Sequence, residues 1–108
     1  MATPTQVFRR IASKYPGLTE SKILCALAIK NESGIVIFLL WKHEMVFRLE
    51  GEARENALKV EGAKIFSPRG ERRLIQTGIQ LPFEKSEYWE IFAEAAHEQN
   101  RRLLPPPG

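Results

Sequence analysis

Aspartate is absent from this 108-residue sequence, because all thirteen acidic residues are glutamates. This absence removes aspartate-based calcium loops, the aspartate of a hydrolase triad and magnesium sites built on aspartate pairs, although glutamate can substitute in some of them. Histidine and cysteine are also scarce, at two and one residues. The composition therefore argues against an enzyme, and we assign no catalytic, cofactor-binding or metal-binding residue.

The single cysteine, Cys25, has no partner for an internal disulfide, and the chain does not open with the pattern of a secretory signal. Long apolar runs are missing too, since the longest, 35–41, is far shorter than the roughly 20 residues that span a bilayer. We therefore expect a cytoplasmic protein without a membrane span. Because Cys25 lies within an apolar segment, we expect its thiol to be buried and unreactive.

The overall amino-acid composition is typical of an ordinary folded domain. Apolar residues make up 44% of the chain and charged residues 27%, and the net charge is +3. This balance is typical of globular proteins rather than of disordered ones. We expect one domain over 1–104 and a disordered, proline-rich tail over 105–108.

Helical patterns are found near both ends of the chain and once between them. Thr3, Pro4 and Gln6 form a capping box that begins a helix, which Pro16 ends. A short second helix is predicted over 52–61. Ser86 is a candidate N-cap for a last helix, whose apolar face includes Tyr88, Trp89, Phe92, Ala95 and Ala96.

Patterns typical of β-strands occur in the sequence between the predicted helices. Apolar runs over 23–30 and 35–41 flank a turn-forming link and predict a hairpin, and alternation over 45–49 and 74–81 predicts two further strands. The expected class is α+β: an antiparallel sheet of about four strands, a meander plus one. The terminal helices pack on the sheet, and the short helix lies between strands 3 and 4.

The two histidines are weak candidates for chemistry. His43 and Glu44 adjoin one another in a predicted turn, where a general base and its orienting carboxylate are conceivable, but no nucleophile can be placed beside them. His97 lies on the last helix without a second histidine at ligand spacing. We interpret both as solvated surface residues. The sequence indicates no small-molecule substrate.

Basic residues are concentrated in the segment 64–73, which we interpret as an exposed loop or a frayed β-arm. Its possible anion or nucleic-acid contacts are Lys64, Arg69, Arg72 and Arg73. Such a group can hold phosphates, with binding that is weak, sequence-tolerant and sensitive to salt. The alternative is a solvated loop.

Aromatic residues on the strands and the last helix suggest a different use. A small sheet with an uncovered face or a free edge often pairs with another chain. Phe38, Trp41 and Trp89 are the candidate interface residues, with a protein partner or a second copy as the partner. The alternative is that each belongs to the core.

Several of these segments together resemble the TfoX N-terminal domain family. The resemblance covers roughly residues 20–102. It is carried by Ala28-Ile29-Lys30, Gly34, the strand ending in Trp41, Met45-Val46-Phe47-Arg48-Leu49, Gly62-Ala63, Phe66, Pro68 and the helix with Trp89. This resemblance implies a small prokaryotic α+β module that acts as a non-enzymatic regulatory or protein-interaction domain. Weak nucleic-acid binding through 64–73 is the alternative function.

Overall fold

The computed structural model describes residues 2–23, 25–68, 70 and 74–104. The elements, in chain order, are α1 (Pro4–Ala12), β1 (Thr19–Ile23), β2 (Ala26–Lys30), β3 (Val36–Trp41), β4 (Glu44–Arg48), α2 (Gly51–Leu58), β5 (Lys64–Phe66), β6 (Ile75–Leu81), a 3-10 helix (Phe83–Tyr88) and α3 (Trp89–Asn100). The predicted tail, 105–108, lies outside the described residues. Within the described ranges, no helix has the length and apolar character needed to cross a membrane.

The six strands of the described ranges form one antiparallel sheet in the order β1-β2-β3-β4-β6-β5. The predicted α+β class is confirmed, but the prediction of about four strands is wrong. The additional strands, β1 and β5, are the two edges of the sheet. Edge strands carry more polar residues than central ones, because one side of the backbone and often one face meet water. Their sequences therefore carry little of the apolar alternation that identifies a strand.

The apolar run over 23–30 illustrates this error. It was predicted as one strand, yet it contains the end of β1, a tight turn and all of β2, with Ile23 opposite Ala26. Cys25 lies in that turn with a φ of 66°, a left-handed conformation that no strand can continue. The same turn exposes Cys25 to solvent, so the prediction of a buried thiol is wrong.

The first helix follows its sequence signals closely at its beginning. The Thr3 hydroxyl accepts from the Gln6 amide, the Gln6 side chain accepts from the Thr3 amide, and Pro4 occupies the first turn. The helix ends at Ala12, several residues before Pro16. Its buried side chains, Val7, Phe8 and Ile11, face the sheet.

The last helix begins later than predicted. Residues 83–88 form a 3-10 helix, and α3 begins at Trp89 without a side-chain cap, so Ser86 is not its N-cap. Tyr88 is 40% exposed rather than part of the apolar face. The helix is held mainly by the burial of Trp89, Phe92, Ala93 and Ala96.

The helices cover one face of the sheet, as predicted. Ile29, Phe38, Phe47 and Ile79 stand opposite one another on four adjacent strands and lie in the same buried cluster as the apolar residues of α1 and α3. Phe8 meets Phe38 edge to face, with ring centroids 5.8 Å apart. Because strand side chains alternate, the neighbouring row faces away from these helices. That second face is the open face of the sheet.

Candidate functional site on the open face of the sheet

The open face carries an apolar cluster of its own. Ala28, Leu39 and Val46 form a row across β2, β3 and β4, directly opposite one another in register. Phe66 from β5 and Trp41 from β3 join this cluster. None of the described helices contributes a residue to it. Within the described part of the chain, the sheet therefore carries two apolar layers, and helices cover only one of them.

The sheet is curled so that the open face is concave. Trp41 and Phe66 lie on strands three positions apart in the sheet, a separation of about 14 Å if the sheet were flat. Their rings nevertheless meet edge to face, with centroids 5.4 Å apart. Ile23 on edge strand β1 borders the same depression as Phe66 on the opposite edge strand. The curl brings the two ends of the sheet towards each other.

The depression is a cleft with a volume of about 220 Å³. Its apolar lining includes Ile23, Val36, Leu39, Trp41, Val46 and Phe66, with Ile75 and Thr77 from β6. Ile75 is 45% exposed and Leu74 beside it 46%, so apolar surface continues from the cleft to solvent. A half-open apolar cleft of this kind can receive a side chain or a small molecule.

Gly78 allows Phe66 to reach its position. A Cβ atom at Gly78 would lie 2.9 Å from the Cβ of Phe66 and 3.3 Å from Cγ1 of Val46. The pairing of β5 with β6 also shifts register here, because Ile65 opposes Ile79 whereas Phe66 opposes Ile75. The sheet thus has an irregularity beside Gly78, and it lets the Phe66 ring cross β6 and close one wall of the cleft.

Arg48 is the charged residue in the cleft wall. It lies on β4 opposite Gly78, two residues after Val46, and therefore belongs to the open face. Its Nε is buried and has no hydrogen-bond partner among the residues that the structure describes. Its backbone oxygen accepts a hydrogen bond from Nδ2 of Asn100, which ties this end of β4 to the last helix.

The candidate interface residues are not brought together on this face. Phe38 and Trp89 are fully buried, which agrees with the alternative that they belong to the core. Trp89, at the start of α3, packs against Phe83 of the 3-10 helix and belongs to the buried cluster between helices and sheet. Trp41 alone is partly exposed, at the rim of the cleft, with Nζ of Lys42 5.5 Å from its ring centroid. We keep the interface prediction for Trp41.

The basic group predicted over 64–73 is only partly described. Lys64 lies on β5, its side chain is 64% exposed, and its Nζ lies 4.0 Å from a carboxylate oxygen of Glu44. The same oxygen accepts a 2.6 Å hydrogen bond from Gln80. The other three residues, Arg69, Arg72 and Arg73, lie outside the described residues. Nucleic-acid binding through this segment stays a prediction.

Glu94, His97 and Glu98 form a polar cluster on α3, on the helix side of the molecule. Their candidate ligand atoms lie within 4.8 Å of one another, close enough to meet a metal ion. The hydroxyl of Tyr15, however, donates a 2.8 Å hydrogen bond to Glu94, and the Tyr15 ring lies 4.5 Å from the imidazole of His97. His97 is thus half-buried against a tyrosine rather than freely solvated, which sequence spacing alone did not indicate. Both carboxylates are exposed, so this cluster is weak as a metal site.

His43 occupies the turn between β3 and β4, as predicted, with a φ of 70° and an exposed side chain. Glu44 beside it interacts with Gln80 and Lys64.

The open-face cleft is the strongest candidate site on this geometry. The sequence pattern had not indicated a function for two of its lining residues, Arg48 and Gly78. No protein-family model matches the chain, and neither a curated protein nor a solved structure matches it. The resemblance to the TfoX N-terminal domain family stays a prediction.

Proposed function

We propose that this chain is a non-enzymatic regulatory or protein-interaction domain that associates with a second copy of itself through the open face of its sheet. The observation that carries the proposal is the apolar surface at the mouth of the cleft, where Leu74 and Ile75 are 46% and 45% exposed and Trp41 is partly exposed. The row of Ala28, Leu39 and Val46 beneath it is buried within one copy. A contiguous exposed apolar patch often marks a surface that another molecule covers. The resemblance to a regulatory module agrees with this function, and the single cysteine agrees with action in the cytoplasm.

A two-fold dimer suits this surface because one patch carries both an exposed apolar side chain and the cleft that would receive the same side chain of a second copy. In such a dimer each copy presents the same residues to the other. Ile75 is 45% exposed at the edge of the cleft, so the two-fold would place the Ile75 of each copy over the cleft of the other. Trp41 at the rim supplies the kind of aromatic anchor that dominates the energetics of interfaces.

Sedimentation equilibrium of the wild-type chain and two variants tests the proposal. Ile75→Glu places a charge at the proposed contact, whereas Ile91→Glu places the same charge on α3, where Ile91 is 60% exposed. We expect wild type and Ile91→Glu to dimerise alike, and Ile75→Glu to dimerise at least about tenfold more weakly, because a carboxylate loses its hydration in the contact. A wild-type chain that is monomeric at every concentration contradicts the proposal, and so does equal weakening by both variants.

A further inference from the structure

The cleft has the size of a small organic molecule. An apolar cavity of about 150 Å³ inside a protein holds one benzene molecule. The open-face cleft has a volume of about 220 Å³. It therefore accommodates one ring with a short chain attached, or an aliphatic chain of similar volume, packed against Leu39, Trp41 and Phe66.

One wall of this apolar space is charged. Arg48 lines the cleft, and its Nε–H is buried without a hydrogen-bond acceptor among the described residues. A buried donor without an acceptor is uncommon in folded proteins and requires an explanation. A guanidinium is planar, permanently charged and matched to the two oxygens of a carboxylate. Because Nε has almost no accessible surface, an acceptor that enters the cleft completes the hydrogen bonding of Arg48 only when the guanidinium turns towards it.

We propose that the cleft is a binding site for a small monocarboxylic acid with an apolar body. The body lies in the cleft against Leu39 and the touching rings of Trp41 and Phe66, and the carboxylate accepts hydrogen bonds from the guanidinium of Arg48. The chemistry of the walls sets this class of ligand. A neutral hydrocarbon leaves the Nε–H without a partner, a cation is repelled by the guanidinium, and a phosphate or sugar places polar groups against an apolar lining.

This site does not depend on the proposed dimer, because the cleft and Arg48 are complete within one chain. The two uses share a surface, so a ligand in the cleft and the Ile75 of a second copy exclude each other. Ligand binding would then favour the monomer by mass action.

Titration with three matched compounds tests the charge requirement directly. The probes are 3-phenylpropanoate, its neutral amide and 3-phenylpropylamine, which share a ring and chain length and differ in charge. Binding is followed at neutral pH by calorimetry and by backbone amide shifts, at protein concentrations where sedimentation shows a monomer. We expect the carboxylate to bind at least about tenfold more tightly than the amide, the amine not to bind, and the shifts to be centred on Val36, Trp41 and Ile75.

Three variants locate the effect. Arg48→Met keeps the apolar stem and removes the charge, and it is expected to abolish the preference for carboxylate over amide. Arg48→Lys keeps the charge without the planar fork and is expected to retain part of the preference. The control Lys59→Met removes an exposed charge just after α2, outside the cleft lining, and leaves the preference unchanged.

Three results would overturn the proposal. Equal binding of carboxylate and amide by the wild type would show that Arg48 does not recognise the carboxylate. This comparison does not depend on whether any variant folds. Absence of binding by all three compounds removes the site itself. Equal loss of preference in Lys59→Met and Arg48→Met would show that the preference comes from the overall surface charge. A monomeric wild type that still prefers the carboxylate supports this site and refutes only the proposed dimer.

Discussion

Replacement of Asn31 by alanine should destabilise the chain strongly, because its side chain is buried and makes four hydrogen bonds. Asn31 is 3% exposed in the turn between β2 and β3. Its Nδ2 donates to the backbone oxygens of Asn100 and Leu103 at 2.8 and 2.9 Å. Its Oδ1 accepts from the amides of Ser33 and Ile35 at 2.9 and 3.0 Å. One side chain thus orders a turn and attaches it to the end of the last helix.

The magnitude follows from these four hydrogen bonds. Each contributes on the order of 1 kcal/mol net, and a buried group left without a partner costs more than a solvated one. The amides of Ser33 and Ile35 lie in a turn that water can reach after the substitution. We therefore expect a loss of about 3 kcal/mol in the free energy of unfolding. That is a large share of the roughly 5–15 kcal/mol that stabilises a domain.

Urea denaturation followed by circular dichroism measures this loss. The midpoint for Asn31→Ala should fall by about 1 to 3 M relative to wild type. Asn31→Asp keeps the acceptor for the turn but sets a carboxylate oxygen against the backbone oxygens of Asn100 and Leu103, so its midpoint should fall at least as far as that of Asn31→Ala. Asn56→Ala on the exposed surface of α2 is the control and should change stability by less than about 0.5 kcal/mol. A midpoint for Asn31→Ala equal to that of Asn56→Ala would show that the four hydrogen bonds of Asn31 do not stabilise the fold.

Three further changes have defined outcomes. Gly62→Ala should cost about 1–3 kcal/mol in a urea titration, because Gly62 has a φ of 87° and a Cβ there would lie 2.9 Å from Cγ of Pro82. Burial, reinforced by the hydrogen bond to Glu94, raises the pKa of Tyr15 well above its ordinary value, so the neutral phenol is favoured in the folded state. The stability from this preference is complete below about pH 10 and is lost as the pH rises further, and Tyr15→Phe should show a shallower loss in that range. The exposed thiol of Cys25 should react fully with Ellman's reagent without denaturant.

Each of these has a clear contrary result. Gly17→Ala is the control for Gly62, since a Cβ at Gly17 meets nothing within 4 Å. Equal stabilities of the two alanine variants would contradict the steric argument. An alkaline stability profile unchanged by Tyr15→Phe would show that its hydroxyl is not buried as described. A thiol that reacts only after unfolding would contradict the exposed turn at Cys25.

The central part of the fold is predictable because its signals are local or strongly periodic. The capping box at Thr3 specifies the start of α1 through contacts three residues apart. The segments that became β3 and β4 lie in the middle of the sheet, where buried side chains produce apolar runs. The same logic fails at the edges. β1 has mostly exposed or half-exposed side chains, so its sequence lacks that pattern.

The candidate site was not predictable for a related reason. The alternating pattern of β4 predicts that Arg48 lies on the polar face of a strand. Its side chain lines a cleft because the sheet is curled, which the pattern does not indicate. Trp89 looks like an interface residue by type, yet packing between distant elements buries it completely. The tie between Asn31 and Asn100 joins residues 69 positions apart. Such contacts depend on tertiary arrangement, which local patterns do not encode.

The proposed dimer requires that two copies of the chain meet through the open face of the sheet. Isotope-filtered nuclear Overhauser measurements on a mixture of labelled and unlabelled chains give the sharpest test, because they detect only contacts between copies. We expect intermolecular contacts from the methyl groups of Ile75 and the ring of Trp41, and none from the exposed methyl groups of Ile91. Contacts confined to Ile91 and α3, or no intermolecular contacts at millimolar concentration, would contradict it.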